Sequence, residues 1–98
     1  MIDAVELVDN DFLRQFELKV EGQLAKIEYS LQDRKIFLTK LIIPESVNEN
    51  TFTEEFLILV LEDIRDREIS VVPTAPTIAK FIRKNRKYKR MLPVGIRI

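Results

Sequence analysis

Between Phe16 and Leu31 the chain alternates apolar and polar residues at almost every step, and this limits its folds most. Phe16-Glu17-Leu18-Lys19-Val20-Glu21 has a period of two, the spacing of a strand with one wet face. Gly22-Gln23 supplies a turn, and Ala25, Ile27, Tyr29 and Leu31 then alternate with Lys26, Glu28 and Ser30. The two segments read as a hairpin. A polar break at Gln32-Asp33-Arg34-Lys35 leads into Ile36–Ile43, apolar at most positions, as expected of a strand covered on both faces. Pro44 ends it.

The period then lengthens. Phe56, Leu57, Val60, Leu61 and Ile64 recur at helical spacing, with Ile58 and Leu59 widening the apolar face. Thr51 stands three residues before Glu54, the capping-box spacing, and Glu54 and Glu55 are expected in the helix's first turn. Ile69-Ser70-Val71-Val72 reads as a short buried strand. Pro76 opens a second amphipathic helix, carrying Ile78, Ala79, Phe81 and Ile82 to about Asn85. Val94–Ile98 is a candidate last strand. If the strands flanking the first helix lie parallel, the connection between them is a right-handed crossover.

Ninety-eight residues suit one domain, residues 1–98, with one modest core. The chain has neither cysteine nor histidine. That removes thiolate metal sites, disulfides, the cysteine nucleophile and imidazole acid–base catalysis. Zinc would need an all-carboxylate site, which is rare, so no metal is expected. No apolar run is long enough to span a membrane, and no secretory signal opens the chain, so a cytoplasmic address is expected.

The net charge of zero conceals an asymmetry. Lys80, Arg83, Lys84, Arg86, Lys87, Lys89, Arg90 and Arg97 follow residue 79 with no acid among them. The first 79 residues hold all 16 acids and the other eight bases, a balance of −8.

Several residues together resemble the short YjdJ-type branch of the GNAT acetyltransferases over about Val8 to Leu92. They are Asp9-Asn10, Phe16-Glu17-Leu18, Glu21-Gly22, Ile27-Glu28-Tyr29, Pro44, Leu61–Arg65, Val71-Val72-Pro73, Pro76, Phe81–Lys84 and Tyr88. The resemblance implies a single GNAT-like α/β (α+β) domain. Its sheet would be mixed and mostly antiparallel, of four to five strands, with two main helices. It also implies acetyl-CoA as cofactor, with Ile42 and Ile43 beside the pantetheine arm and Asn48, Glu49, Asn50, Thr51, Phe52 and Thr53 as the pyrophosphate loop.

That loop departs from the family pattern. Asn48 stands where an arginine or glutamine belongs, and Thr51 and Thr53 stand where glycines belong. Glycine lets a phosphate approach the backbone at a helix N-terminus, whose free N–H groups point at the anion. Glu49 adds a like charge, repelling an anion about 4 Å away by at most about 4 kcal/mol at an effective dielectric near 20. The loop reads either as a weakened CoA site held by backbone amides or as a self-capped loop. Lys40-Leu41-Ile42, Ala75 and Asn85 also replace polar or reactive residues usual in the family, and no catalytic residue is assigned.

Glu28 and Tyr29 are weighed as base and acid against a solvated face and a core position. Tyr88 reads as an anchoring aromatic beneath the last helix. The basic run from Lys80 to Arg90 has several candidate uses: the 3′-phosphate of CoA, an acidic protein surface, or a plain solvated face. With few interleaved aromatics, nucleic acid is disfavoured as its partner. Two functions follow: direct acetyl transfer from acetyl-CoA to an unidentified amine or protein acceptor, or a GNAT-shaped interaction module without catalysis. No membrane partner is expected, and the oligomeric state is open.

Overall fold

The computed structural model describes residues 7–20, 22–45 and 50–96. The elements in chain order are β1 (Val8–Asn10), β2 (Gln15–Val20), β3 (Gln23–Gln32), β4 (Lys35–Ile42), α1 (Asn50–Asp66), β5 (Ser70–Pro73), α2 (Pro76–Lys84) and α3 (Arg86–Lys89). They form a five-stranded sheet in the order β1-β2-β3-β4-β5. Neighbours are antiparallel except β4 and β5, which run parallel on either side of α1. The strand β1 went unanticipated, because three residues cannot display a period.

Alternation sorts the sheet into two unlike faces. Phe16, Leu18, Ala25, Ile27, Tyr29, Ile36, Leu38 and Val71 are all buried on one of them. Phe52, Phe56, Leu57, Val60, Leu61 and Ile64 of α1 pack there, joined by Ile78, Phe81 and Ile82 of α2 in one core. The other face carries Glu17, Lys26, Glu28, Phe37 and Val72, each half-buried. The expectation that β4 is covered on both faces is therefore corrected. Helices α1 and α2 both pack on one side, and Phe37, paired across the strands with Ser30 and Val72, has no helix over it among the described residues.

Turns explain the register. Gly22 has φ +77°, and nothing lies within 4 Å of an added Cβ, so backbone conformation alone favours glycine there. The β3–β4 turn places Asp33 and Arg34 at φ 45° and 61°, the doubly positive pattern whose twist matches a tight hairpin. Further along, Glu28 pairs with Lys40 but Tyr29 pairs with Leu38, so Thr39 is the extra residue of a bulge in β4. Its hydroxyl donates to the Glu28 carbonyl at 3.2 Å.

Two ends differ from expectation. Residues 94–96 form a turn, not a strand, while residues 97 and 98 lie outside the described residues. Pro93 and Gly95 account for this: the first lacks a donor, and the second sits at φ +92°. Met91 instead blocks the outer edge of β5, accepting a bond from the Val71 N–H at 2.8 Å. At the other end α1 already begins at Asn50. Thr51 is thus inside the helix, not its cap, and Glu54 and Glu55 fall in the second turn. No side-chain hydrogen bond of Thr51 or Glu54 occurs among the described residues, so the capping-box expectation is corrected too. Pro76 does open α2, with Ala75 as the extended residue before it.

Candidate functional site

The parallel pair β4–β5 is where the sheet opens. Its pairing runs from Lys35↔Ser70 to Leu38↔Pro73 and stops, while β4 continues to Ile42. The Leu38 carbonyl marks the parting. It accepts from the Thr74 N–H at 3.1 Å, the Ala75 N–H at 3.1 Å and the Thr74 hydroxyl at 3.0 Å. Three donors on one carbonyl pull the chain off the sheet and into α2. Beyond the bulge, Lys40, Leu41 and Ile42 pair with β3 alone, which leaves the β5-facing edge of β4 uncovered. Ile42 and Ile43 lie half-buried at the end of this edge.

Between the helices that follow these two strands, α1 after β4 and α2 after β5, lies a groove of about 250 Å³. Its walls are Thr53, Glu54 and Leu57 from α1 and Thr77, Lys80, Phe81 and Lys84 from α2. Local sequence explains both walls. In α1, Thr53 and Leu57 are four apart and so share a face; in α2, Thr77, Lys80 and Lys84 do the same at spacings of three and four. Leu57 and Phe81 form the floor, and the two lysines form a positive rim. Glu54 is the single acid among the groove-lining residues.

Of the residues expected from sequence, Thr53 lines the groove. Thr51 is exposed in the first turn of α1 and Phe52 is buried in the core, where its ring lies 6.1 Å from that of Phe56. Asn50 starts the helix; Asn48 and Glu49 lie outside the described residues. Sequence reasoning named the Lys80–Arg90 run but did not join Lys80 and Lys84 to the α1 end. The signal was their spacing along an amphipathic helix beginning at a proline.

Glu28 and Tyr29 do not belong to this groove. Glu28 is on the helix-free face. The Tyr29 hydroxyl donates to Asp9 Oδ1 at 2.5 Å, and Arg67, just past the end of α1, reaches Asp9 Oδ2 and Asp63 Oδ2 at 2.7 Å each. The Arg67 guanidinium also lies 5.5 Å from the Phe16 ring centre. This cluster ties β1 to the carboxyl end of α1, a helix length away from the groove. Burial, then the bond to Asp9, pushes the Tyr29 hydroxyl up to about 12, which suits a permanent donor and not a proton shuttle.

Tyr88 anchors α3 to α1. Its hydroxyl donates to Glu62 Oε2 at 2.9 Å and its ring stacks 6.0 Å from Phe81. Burial and Glu62 push it likewise to about 12. Among the described residues no group of acids has the arrangement to hold a metal ion, and no helix is long and apolar enough to cross a membrane.

A parted parallel strand pair, with a groove between the two helices that follow it, defines the class. The family model of GCN5-related N-acetyltransferases matches residues 15–91, most of the chain, and the chain belongs to that family. A GCN5-like protein of Staphylococcus aureus, solved by NMR in solution, superposes with a TM-score of 0.69 over 98% of this chain and 94% of that one. At 16% identity this likeness speaks for the fold. No curated protein matches the chain.

Proposed function

We propose that the chain is an acetyl-CoA-dependent N-acetyltransferase of the short, YjdJ-like kind, working in the cytoplasm. The reading is carried by one observation: Lys80 and Lys84 of α2 line a groove against the first turns of α1. Family membership supports it.

The groove's chemistry fits the cofactor. Two ammonium groups, two threonine hydroxyls and the N–H groups at the start of a 17-residue helix are anion ligands of the kind phosphates need. Lysine binds phosphate as a mobile point charge, so it needs no close backbone approach and tolerates Thr51 and Thr53 where glycines are usual. Glu54 opposes this and lowers the affinity. The open backbone groups of residues 39–42 would take the amides of the pantetheine arm, with Ile42 and Ile43 supplying apolar contact. Bound acetyl-CoA supplies an activated thioester. Because the chain lacks cysteine and histidine, its residues would hold and orient. The acceptor's neutral amine would attack the thioester carbonyl, the C–N bond forming as the C–S bond breaks. Coenzyme A would leave as the thiol, the amine's surplus protons passing to it and to solvent.

The test is titration of acetyl-CoA into the protein, following melting temperature and backbone amide shifts. Ligand at about 100 times its dissociation constant adds about 2.7 kcal/mol. For a chain of this size that raises melting by roughly 10–20 °C. Shifts should cluster at residues 39–43, 50–57 and 77–84, and Lys80→Gln with Lys84→Gln should weaken binding. No rise and no shifts at millimolar ligand would overturn the reading.

A further inference from the structure

The groove uses only part of the positive charge on α2 and α3. Lys80, Arg83, Lys84, Arg86, Lys89 and Arg90 are exposed and have no ion pair among the described residues. Lys87 alone is paired, with Glu62 at 3.6 Å. Six uncompensated cations within eleven residues are unlike the rest of the surface. On the helix-free sheet face, by contrast, Glu17 opposes Lys26 and Glu28 opposes Lys40.

The strip has a definite shape. Its helices are 9 and 4 residues long, hinged at Asn85, whose amide donates to the Phe81 carbonyl at 2.8 Å. Acids of α1 border it on one side: Glu54 lines the groove beside Lys80 and Lys84, and Glu62 meets Lys87. The aromatic residues within the strip, Phe81 and Tyr88, are buried beneath it.

We infer that this α2–α3 strip docks an acidic polypeptide segment in extended form. A slender chain can follow a narrow positive track and leave the α1 carboxylates to solvent. A nucleic-acid duplex carries a phosphate charge about every 1.7 Å of its axis on a broad surface, and would press against Glu54 and Glu62. Single strands gain from stacking on exposed aromatics, and this strip offers none. Charge complementarity without apolar anchors gives fast, salt-sensitive association. Lys80 and Lys84 are shared with the groove, but Arg83, Arg86 and Arg90 lie outside its wall, so the inference is tested on these three arginines alone.

The test uses three fluorescent probes: a Glu/Asp/Ser peptide, its Gln/Asn/Ser counterpart, and a random-sequence DNA duplex. Anisotropy is read at low and physiological salt with the full chain and with the variant Arg83→Gln, Arg86→Gln, Arg90→Gln. The acidic peptide should bind best, weaken as salt rises, and lose about tenfold in the variant, equal to about 1.4 kcal/mol. Acetyl-CoA should shift the melting of parent and variant equally, which separates this surface from the groove and shows that the variant is folded. Tighter binding of the duplex would overturn the inference in favour of nucleic acid. Equal binding of the two peptides, or an unaffected variant, would overturn it outright.

Discussion

Asp9 is the residue on which one end of the molecule depends, because it takes a proton donor from Tyr29 and a cation from Arg67 at once. Arg67 is held by two carboxylates, whose contacts outweigh the burial that opposes its charge. Arg67→Ala leaves Asp9 and Asp63 without that charge in a partly buried site. It should cost about 1–2 kcal/mol, discounted because the side chain is 36% exposed. Chemical denaturation would read this as a lower midpoint with unchanged slope. Alkaline pH addresses the same bonds. Tyr29 and Tyr88 ionise at about 10 when unfolded and about 12 when folded, so the folded chain holds more protons between those values. Their contribution is complete below about pH 10 and is lost as pH climbs toward 12. Melting followed against pH should fall in that window, and Tyr29→Phe with Tyr88→Phe should flatten the fall.

At the scale of elements, helix ends carry the informative strain. Glu68, two residues past α1, has φ 58° and its N–H bonds to the Arg65 carbonyl at 3.0 Å. Helices commonly stop in this left-handed conformation, and glycine adopts it without the penalty of a side chain. Glu68→Gly should therefore stabilise the protein by about 0.5–1 kcal/mol, visible as a raised melting temperature. The opposite end of α1 gives a contrasting expectation. Because Thr51 is an exposed helical residue, Thr51→Ala should change stability by less than about 0.7 kcal/mol and, if anything, raise it. A loss beyond about 1 kcal/mol would restore Thr51 as a cap.

Over the whole molecule, what could be read in advance followed the length of each periodic signal. Phe16 to Leu31 and Phe56 to Ile64 repeat long enough to declare strand and helix, and Pro76 announced α2. The strand β1 is too short to repeat. Thr51 mimicked a cap because its spacing to Glu54 fits equally well one register further into the helix. The one-sided covering of β4 was hidden because Phe37 and Ile42 are apolar whether a helix or a neighbouring side chain shelters them. The site was half legible: the family pattern pointed to the start of α1, but the groove joins Thr53 to Lys80 and Lys84 across an intervening strand. No local rule links residues so far apart in sequence. Their meeting depends on the parallel crossover that sets α1 and α2 side by side.

The one-sided layering also governs the order in which the chain becomes safe as it is made. Strands β1 to β4 precede all three helices, so a nascent chain cut before α1 is a twisted meander showing Phe16, Leu18, Ile27, Ile36 and Leu38 to water. Pairing between successive strands is local and quick, but the sheet has nowhere to hide its oily side until α1 and α2 leave the ribosome. Synthesis of the last half of the chain is therefore the interval in which a chaperone, or a second unfinished copy, competes for that surface.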